Sequence, residues 1–165
     1  MLRFTDPEGL TFELDVVGYQ YPADVESPLP EFDLNWLMIH ISARDHEGRE
    51  WEAVDPCLLT WELEELARWL EVHSYDDKAF LLLDFTEPCL SFDIQHPDRL
   101  GQTVVLNVHL SCELGAPEAG KNSRSDVVLR FVLKEDDLMS AARQCQDLCG
   151  RYPHRAALPG REGEQ

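Results

Sequence analysis

The chain has 165 residues, 44% of them hydrophobic and 28% charged, which is enough for one domain whose core needs no metal or disulfide. It carries 32 acidic and 14 basic side chains, a formal net charge of −18. This charge argues strongly against binding to nucleic acid or to an anionic membrane, because lysine and arginine bind phosphate groups. Residues 1–100 hold 23 acidic and 6 basic side chains, a net charge of −17. The composition is compatible with a cationic partner, and it is equally compatible with acidity that only keeps the protein soluble.

The sequence predicts a cytoplasmic protein without a cofactor. Its longest apolar run, Ala79–Leu83, is far shorter than the roughly 20 residues that span a bilayer, and Met1–Pro7 turns polar before a signal peptide can form. The five cysteines are an odd number, which argues against a disulfide framework in a chain without an export signal. Cys145 and Cys149 lie one helical turn apart, but no further Cys or His motif completes a metal site.

The first third of the chain predicts two hairpins. Asp6-Pro7-Glu8-Gly9 is typical of a type I turn, and it lies between short apolar-polar alternations at 2–5 and 10–16. Prolines among acidic residues predict an acidic loop at 21–31. Strand patterns at 35–41 and 50–54 then predict the second hairpin.

Two helices and further strands are predicted beyond residue 60. Leucines at 59, 63, 66 and 70 indicate a helix at 61–73, with the Thr60 hydroxyl as its N-cap. Strand patterns occupy 79–85, 89–95, 102–114 and 126–133, and the alternation from Val104 to Leu114 is the clearest of them. A second helix at 134–150 is predicted from an apolar stripe, with Gly150 and Pro153 as its stop signals.

These elements predict an α+β fold. Clean alternation favours antiparallel pairing, since parallel strands are covered on both faces. We therefore expect about eight mostly antiparallel strands, in one curved sheet or a two-sheet sandwich, with the two helices packed against them. The domain is expected to span residues 1–153, and residues 154–165 are expected to form a flexible C-terminal tail.

The sequence gives no support for an enzyme. The common hydrolase, dinucleotide, nucleotide and zinc-protease motifs are all missing. A small-molecule binder or an unfamiliar enzyme would require a deep pocket, and its candidate lining residues are His40, His109 and Arg130 on the polar faces of strands.

Four segments resemble the WapI-like immunity protein family: Asp33–Leu37, Val54–Leu66, Thr86–Phe92 and Lys134–Leu138. The similarity covers roughly residues 1–153. The resemblance implies a protein that protects a bacterium by binding the nuclease domain of a contact-dependent toxin. The segments fall at a strand end, a helix entry and a strand start, so they define the fold better than they define a contact surface.

The resemblance and the charge predict one mechanism. A nuclease toxin is basic where it holds nucleic acid, so an acidic protein can cover that surface while long-range attraction raises the association rate. The expected contact residues concentrate negative charge near two tryptophans; they are Asp45, Glu47, Glu50, Trp51, Glu52, Asp55, Trp61, Glu62, Glu64 and Glu65. The alternative is an acidic regulatory module with an unrelated cytosolic protein partner.

Overall fold

The structure, a computed structural model, describes residues 1–22, 29–73, 81–95 and 103–156. The strands are β1 (Leu2–Thr5), β2 (Thr11–Tyr19), β3 (Trp36–Arg44), β4 (Glu50–Leu59), β5 (Leu82–Asp84), β6 (Leu90–Gln95), β7 (Thr103–Leu110), β8 (Ala116–Pro117), β9 (Arg124–Ser125) and β10 (Val127–Lys134). The helices are α1 (Glu31–Leu34), α2 (Thr60–His73) and α3 (Glu135–Arg151). The predictions for the middle of the acidic loop at 23–28, the strand start at 79–80, residue 102 and the tail at 157–165 lie outside the described residues.

One sheet contains the two predicted hairpins. It has the order β1-β2-β3-β4 with antiparallel pairing throughout. The first turn forms because the Asp6 carboxylate accepts the N–H groups of Glu8 and Leu10 at 2.9 and 2.8 Å. Gly9 completes the turn at φ +95°, a conformation that favours glycine. Both hairpin predictions are confirmed.

The later strands form a second antiparallel sheet. Its order is β10-β7-β6-β5, and β8 and β9 form a separate two-stranded ribbon. The described residues thus contain two four-stranded sheets, the ribbon, three α-helices and a 3₁₀ helix at Cys112–Leu114. The four-residue helix α1 was not predicted from the sequence. The predicted α+β fold is confirmed.

The core lies between the inner faces of the two sheets. Phe4 of β1 contacts Phe131 of β10, with ring centroids 5.7 Å apart, and Phe12 of β2 contacts Phe92 of β6 at 6.3 Å. Trp69 extends this packing into α2, with its ring 6.4 Å from that of Phe92. These aromatic side chains are all nearly inaccessible to solvent, so their burial supplies much of the hydrophobic stabilisation.

The prediction that β7 continues to Leu114 is wrong. β7 ends at Leu110, and Cys112 is exposed with φ +48°, a left-handed conformation that breaks the alternation. The chain turns here because Gly115 lies against the backbone of Ser125, where an added Cβ would be 2.6 Å from the carbonyl oxygen. Only glycine allows this close approach, and the turn starts the ribbon.

The two long helices pack on each other and keep nearly their predicted bounds. The Thr60 hydroxyl donates to the side chain of Asn35, and no N–H group of the described residues donates to the Thr60 hydroxyl as an N-cap bond requires. Instead the Glu62 carboxylate accepts the N–H of Leu59 at 2.9 Å, as in the backward arm of a capping box. None of the helices in the described part of the chain is long and apolar enough to cross a bilayer.

The chain after α3 is anchored by Arg155. The Arg155 guanidinium donates to the carbonyl oxygens of Leu34 and Tyr21 and lies 3.9 Å from the centroid of the Tyr19 ring. The Tyr19 hydroxyl donates to the Pro153 carbonyl oxygen. Arg155 is therefore bound beside the start of β3, and the division into a domain at 1–153 and a flexible tail at 154–165 stays a prediction.

Candidate functional site

Asp45 shapes the turn between β3 and β4. Its side chain is 8% exposed, and its carboxylate accepts the backbone N–H groups of Glu47 and Arg49 and the Arg49 Nε–H at 2.6 Å. Burial raises the pKa of Asp45, but the hydrogen bonds from Arg49 and Glu47 outweigh it, so the pKa lies below its usual value. Asp45 is thus an ionised residue that acts mainly within the turn.

The exposed acidic residues of this hairpin have basic neighbours. Glu47 lies 3.5 Å from the Arg49 Nε, and Glu50 lies 3.6 Å from a guanidinium nitrogen of Arg44. Glu52 lies 3.7 Å from the His40 Nε2. Surface pairs of this kind add little stability, but the arginines partly neutralise the local negative potential.

Three more predicted contact residues face the interior or are half-buried. Trp51 is 6% exposed, and its indole N–H donates to the Leu114 carbonyl oxygen at 3.0 Å. Glu62 is 5% exposed and also accepts the Thr86 N–H at 2.7 Å. Asp55 is half-buried, and burial together with nearby carboxylates raises its pKa. Trp51 and Glu62 therefore present little surface to a partner.

The remaining predicted residues lie on α2. Trp61 is half-buried, and Glu64 and Glu65 follow it at the spacings that place side chains on one helix face. Both carboxylates are exposed, and neither forms an ion pair with another described residue. The negative charges of Glu64 and Glu65 are therefore not balanced by ion-pair partners, unlike those of the hairpin.

A partly exposed aromatic cluster surrounds Trp61, and we define it as Phe32, Trp36, Trp61 and His154. Phe32 and His154 are exposed, and the two tryptophans are half-buried. The Phe32 ring lies 5.7 Å from the rings of both tryptophans, and His154 lies 5.8 Å from Trp61. Phe32 is 46% exposed although it is large and apolar. The contact residues expected from the sequence omitted Phe32, Trp36 and His154; the available signal was a phenylalanine between two acidic residues, Glu31 and Asp33.

The pocket that the small-molecule or enzyme alternative requires is not formed by His40, His109 and Arg130. His40 lies on β3 in the first sheet, whereas His109 and Arg130 lie on β7 and β10 in the second sheet. His109 instead lies 2.5 Å from the Asp93 carboxylate, whose other oxygen accepts the amide of Asn107. Two clefts of about 440 and 340 Å³ are lined by other residues.

The cysteine, carboxylate and histidine side chains that could bind a metal have ordinary structural roles in the fold. Burial raises the pKa of Cys145, and burial together with Glu64 raises that of Cys149 to about 11, so both thiols stay protonated at neutral pH. Ligand atoms of Asp6, Glu8 and His46 lie within 4.8 Å of one another at the two hairpin turns. The Asp6 carboxylate already accepts two backbone N–H groups there, which accounts for its position.

The described residues define an acidic two-sheet α+β protein with exposed aromatic side chains and an acidic helix face beside them. The chain belongs to the immunity protein WapI-like family, whose model matches residues 3–153. This match confirms the resemblance inferred from the sequence. The comparisons with curated proteins and with solved structures found no match.

Three of the four segments that carry the family resemblance contact one another in the fold. Asn35 in the first segment accepts the Thr60 N–H on its carbonyl oxygen at 3.1 Å and the Thr60 hydroxyl on its side chain at 3.0 Å. Glu62, in the same segment as Thr60, binds the N–H of Thr86, in the third segment. These contacts join the starts of β3 and α2 to the loop before β6, so the segments stabilise the fold.

Proposed function

We propose that this protein is a cytoplasmic immunity protein that binds a cognate toxin domain and neutralises it by covering its active surface. The match of the WapI-like family model to residues 3–153 carries this proposal. Neutralisation by binding requires no catalytic group, no metal and no cofactor, so the protein is not proposed to be an enzyme. Affinity and surface complementarity determine protection instead.

The proposed target is the basic surface of a nuclease toxin domain. A nuclease holds the phosphate backbone with lysine and arginine, so its active surface is positively charged. This chain has a net charge of −18 and is repelled by nucleic acid, but it is attracted to such a surface. Electrostatic attraction of this kind raises the association rate and selects against acidic proteins.

The contact residues are proposed to be the accessible members of the ten residues chosen from the sequence. Glu47, Glu50 and Glu52 form one group at the hairpin, and Glu64 and Glu65 form a second group beside Trp61. The buried side chains of Asp45, Trp51 and Glu62 support these surfaces from within. The half-buried Asp55 lies between the interior and the surface.

Survival of cells that produce the toxin tests the proposal. We expect that co-expression of this chain with the toxin domain encoded beside its gene restores growth, whereas the toxin domain alone stops growth. An unrelated nuclease toxin serves as the control and should still kill. Cell death despite folded, abundant protein would contradict the proposal, and a stable complex with another cytosolic protein would favour the regulatory module.

A further inference from the structure

We infer that the aromatic cluster, together with Glu64 and Glu65, is the surface that binds a lysine- or arginine-bearing segment of the toxin domain. This inference rests on the proposed function and deepens it, because it selects one of the two accessible acidic groups. The partner chemistry follows from the two features that meet here, which are exposed aromatic rings and unpaired carboxylates.

The aromatic rings supply the apolar centre of the surface. Phe32 keeps 46% of its surface in water while its ring contacts Trp36 and Trp61. Large aromatic side chains that are already ordered lose little entropy on binding and carry much of the energy of protein interfaces. The faces of tryptophan and phenylalanine rings also attract lysine and arginine cations.

Hydrogen bonds hold this surface rigidly before any partner binds. The Asn35 side chain is fully buried, and its amide donates to the carbonyl oxygens of Glu31 and Arg155 at 2.7 and 2.8 Å. The Asn35 backbone N–H donates to the Phe32 carbonyl oxygen at 3.2 Å. The short helix that carries Phe32 is therefore fixed to the C-terminal segment, and the surface is preorganised.

The charges around the cluster are complementary to a cation. Glu64, Glu65 and Asp33 form no ion pair with another described residue. Arg68 lies one turn further along α2 and donates to the Glu64 backbone carbonyl oxygen. The Arg155 guanidinium is bound to backbone carbonyl oxygens and to the Tyr19 ring. Arg68 and Arg155 keep their positive charges, and Glu31 lies 2.9 Å from the His154 Nε2. The carboxylates of Glu64, Glu65 and Asp33 therefore exceed the two guanidinium charges by one and leave a local excess of negative charge for a partner.

The outer face of the second sheet is the main competing surface. Val128 and Val132 are 54% and 57% exposed there. Arg130 and Lys134 alternate with them along β10, and Asp93 is already bound to His109. This face therefore lacks the free negative charge that a cationic segment requires, and Val132 provides a matched control position.

Site-specific crosslinking and affinity measurements test the inference. A benzophenone side chain placed at position 32 should crosslink to the toxin domain encoded beside the gene, and one placed at position 132 should not. Phe32→Ala should weaken the affinity about 30-fold, as expected for an interface hot spot. Glu64→Gln with Glu65→Gln should slow association about fivefold at low salt.

Matched variants separate this surface from general effects. Val132→Ala truncates an apolar side chain that is also exposed, and Glu113→Gln with Asp126→Asn removes two exposed negative charges elsewhere. Both should bind within twofold of the unchanged protein. The inference is overturned if Phe32→Ala binds the toxin domain within twofold of the unchanged protein, or if only position 132 crosslinks to it. Either result leaves the proposed function standing.

Two other outcomes would also overturn the inference. A crosslink from position 32 only to a second copy of this chain would show a self-association surface and overturn the inference. No binding of the unchanged protein to the toxin domain would overturn the inference and the proposed function together.

Discussion

Replacement of Asn35 by alanine should lower the free energy of unfolding by about 3 to 4 kcal/mol. The side-chain oxygen of Asn35 accepts the Thr60 hydroxyl and the Arg155 N–H, and its amide donates to two carbonyl oxygens. Alanine would leave these buried groups without partners, and such groups cost more than the net value of a hydrogen bond. The variant should also release residues 153–156, because Arg155 loses the two hydrogen bonds that join its backbone to the Asn35 side chain.

Chemical denaturation and trypsin cleavage after Arg155 measure the two effects. Asn122 is exposed, so Asn122→Ala is the matched control and should change the free energy of unfolding by less than about 0.5 kcal/mol. The account is contradicted if Asn35→Ala unfolds with a free energy within 1 kcal/mol of the unchanged protein and is cleaved no faster. This result would show that the network does not hold the C-terminal segment.

Replacement of Glu62 by alanine should cost about 3 kcal/mol. Its two carboxylate oxygens accept the N–H groups of Leu59 and Thr86, and the side chain is 5% exposed. Hydrogen bonds to an ionised acceptor are stronger than neutral ones, and here they join the start of α2 to the loop before β6. Thermal or denaturant unfolding gives the cost directly.

Glu65 provides the matched control for Glu62 because both lie on α2 but Glu65 is exposed. Glu65→Ala should change the free energy of unfolding by less than about 0.5 kcal/mol. Equal losses from both substitutions would contradict the structural role of Glu62. If Glu62→Ala protects cells poorly, lowered abundance rather than a lost toxin contact is the expected cause.

The hairpins and the long helices could be predicted because their signals are local. The Asp6–Gly9 turn is specified by four consecutive residues, and the leucine spacing around Leu63 specifies one buried face of α2. The end of β7 could not be predicted in this way. Cys112 and Leu114 continue the alternation of apolar residues, but the backbone of Ser125 requires the chain to turn at Gly115.

The accessibility of the expected contact residues could be predicted only in part, because burial depends on distant contacts. Glu62 and Glu64 are two residues apart on α2, yet Glu62 is buried by Thr86 and its surroundings whereas Glu64 is exposed. The aromatic cluster is also assembled from α1, β3, α2 and the C-terminal segment. His154 and Trp61 are separated by more than ninety residues, so their contact follows from the fold and not from a local pattern.

The salt dependence of toxin binding tests the central claim most directly. Purified chain and the toxin domain encoded beside its gene are mixed at about 50 and about 500 mM NaCl, and the association and dissociation rates are measured. We predict a one-to-one complex whose association rate falls at least about tenfold at high salt, with little change in the dissociation rate. No complex at low salt, or an association rate that is indifferent to salt, would contradict an acidic surface that recognises a cationic toxin.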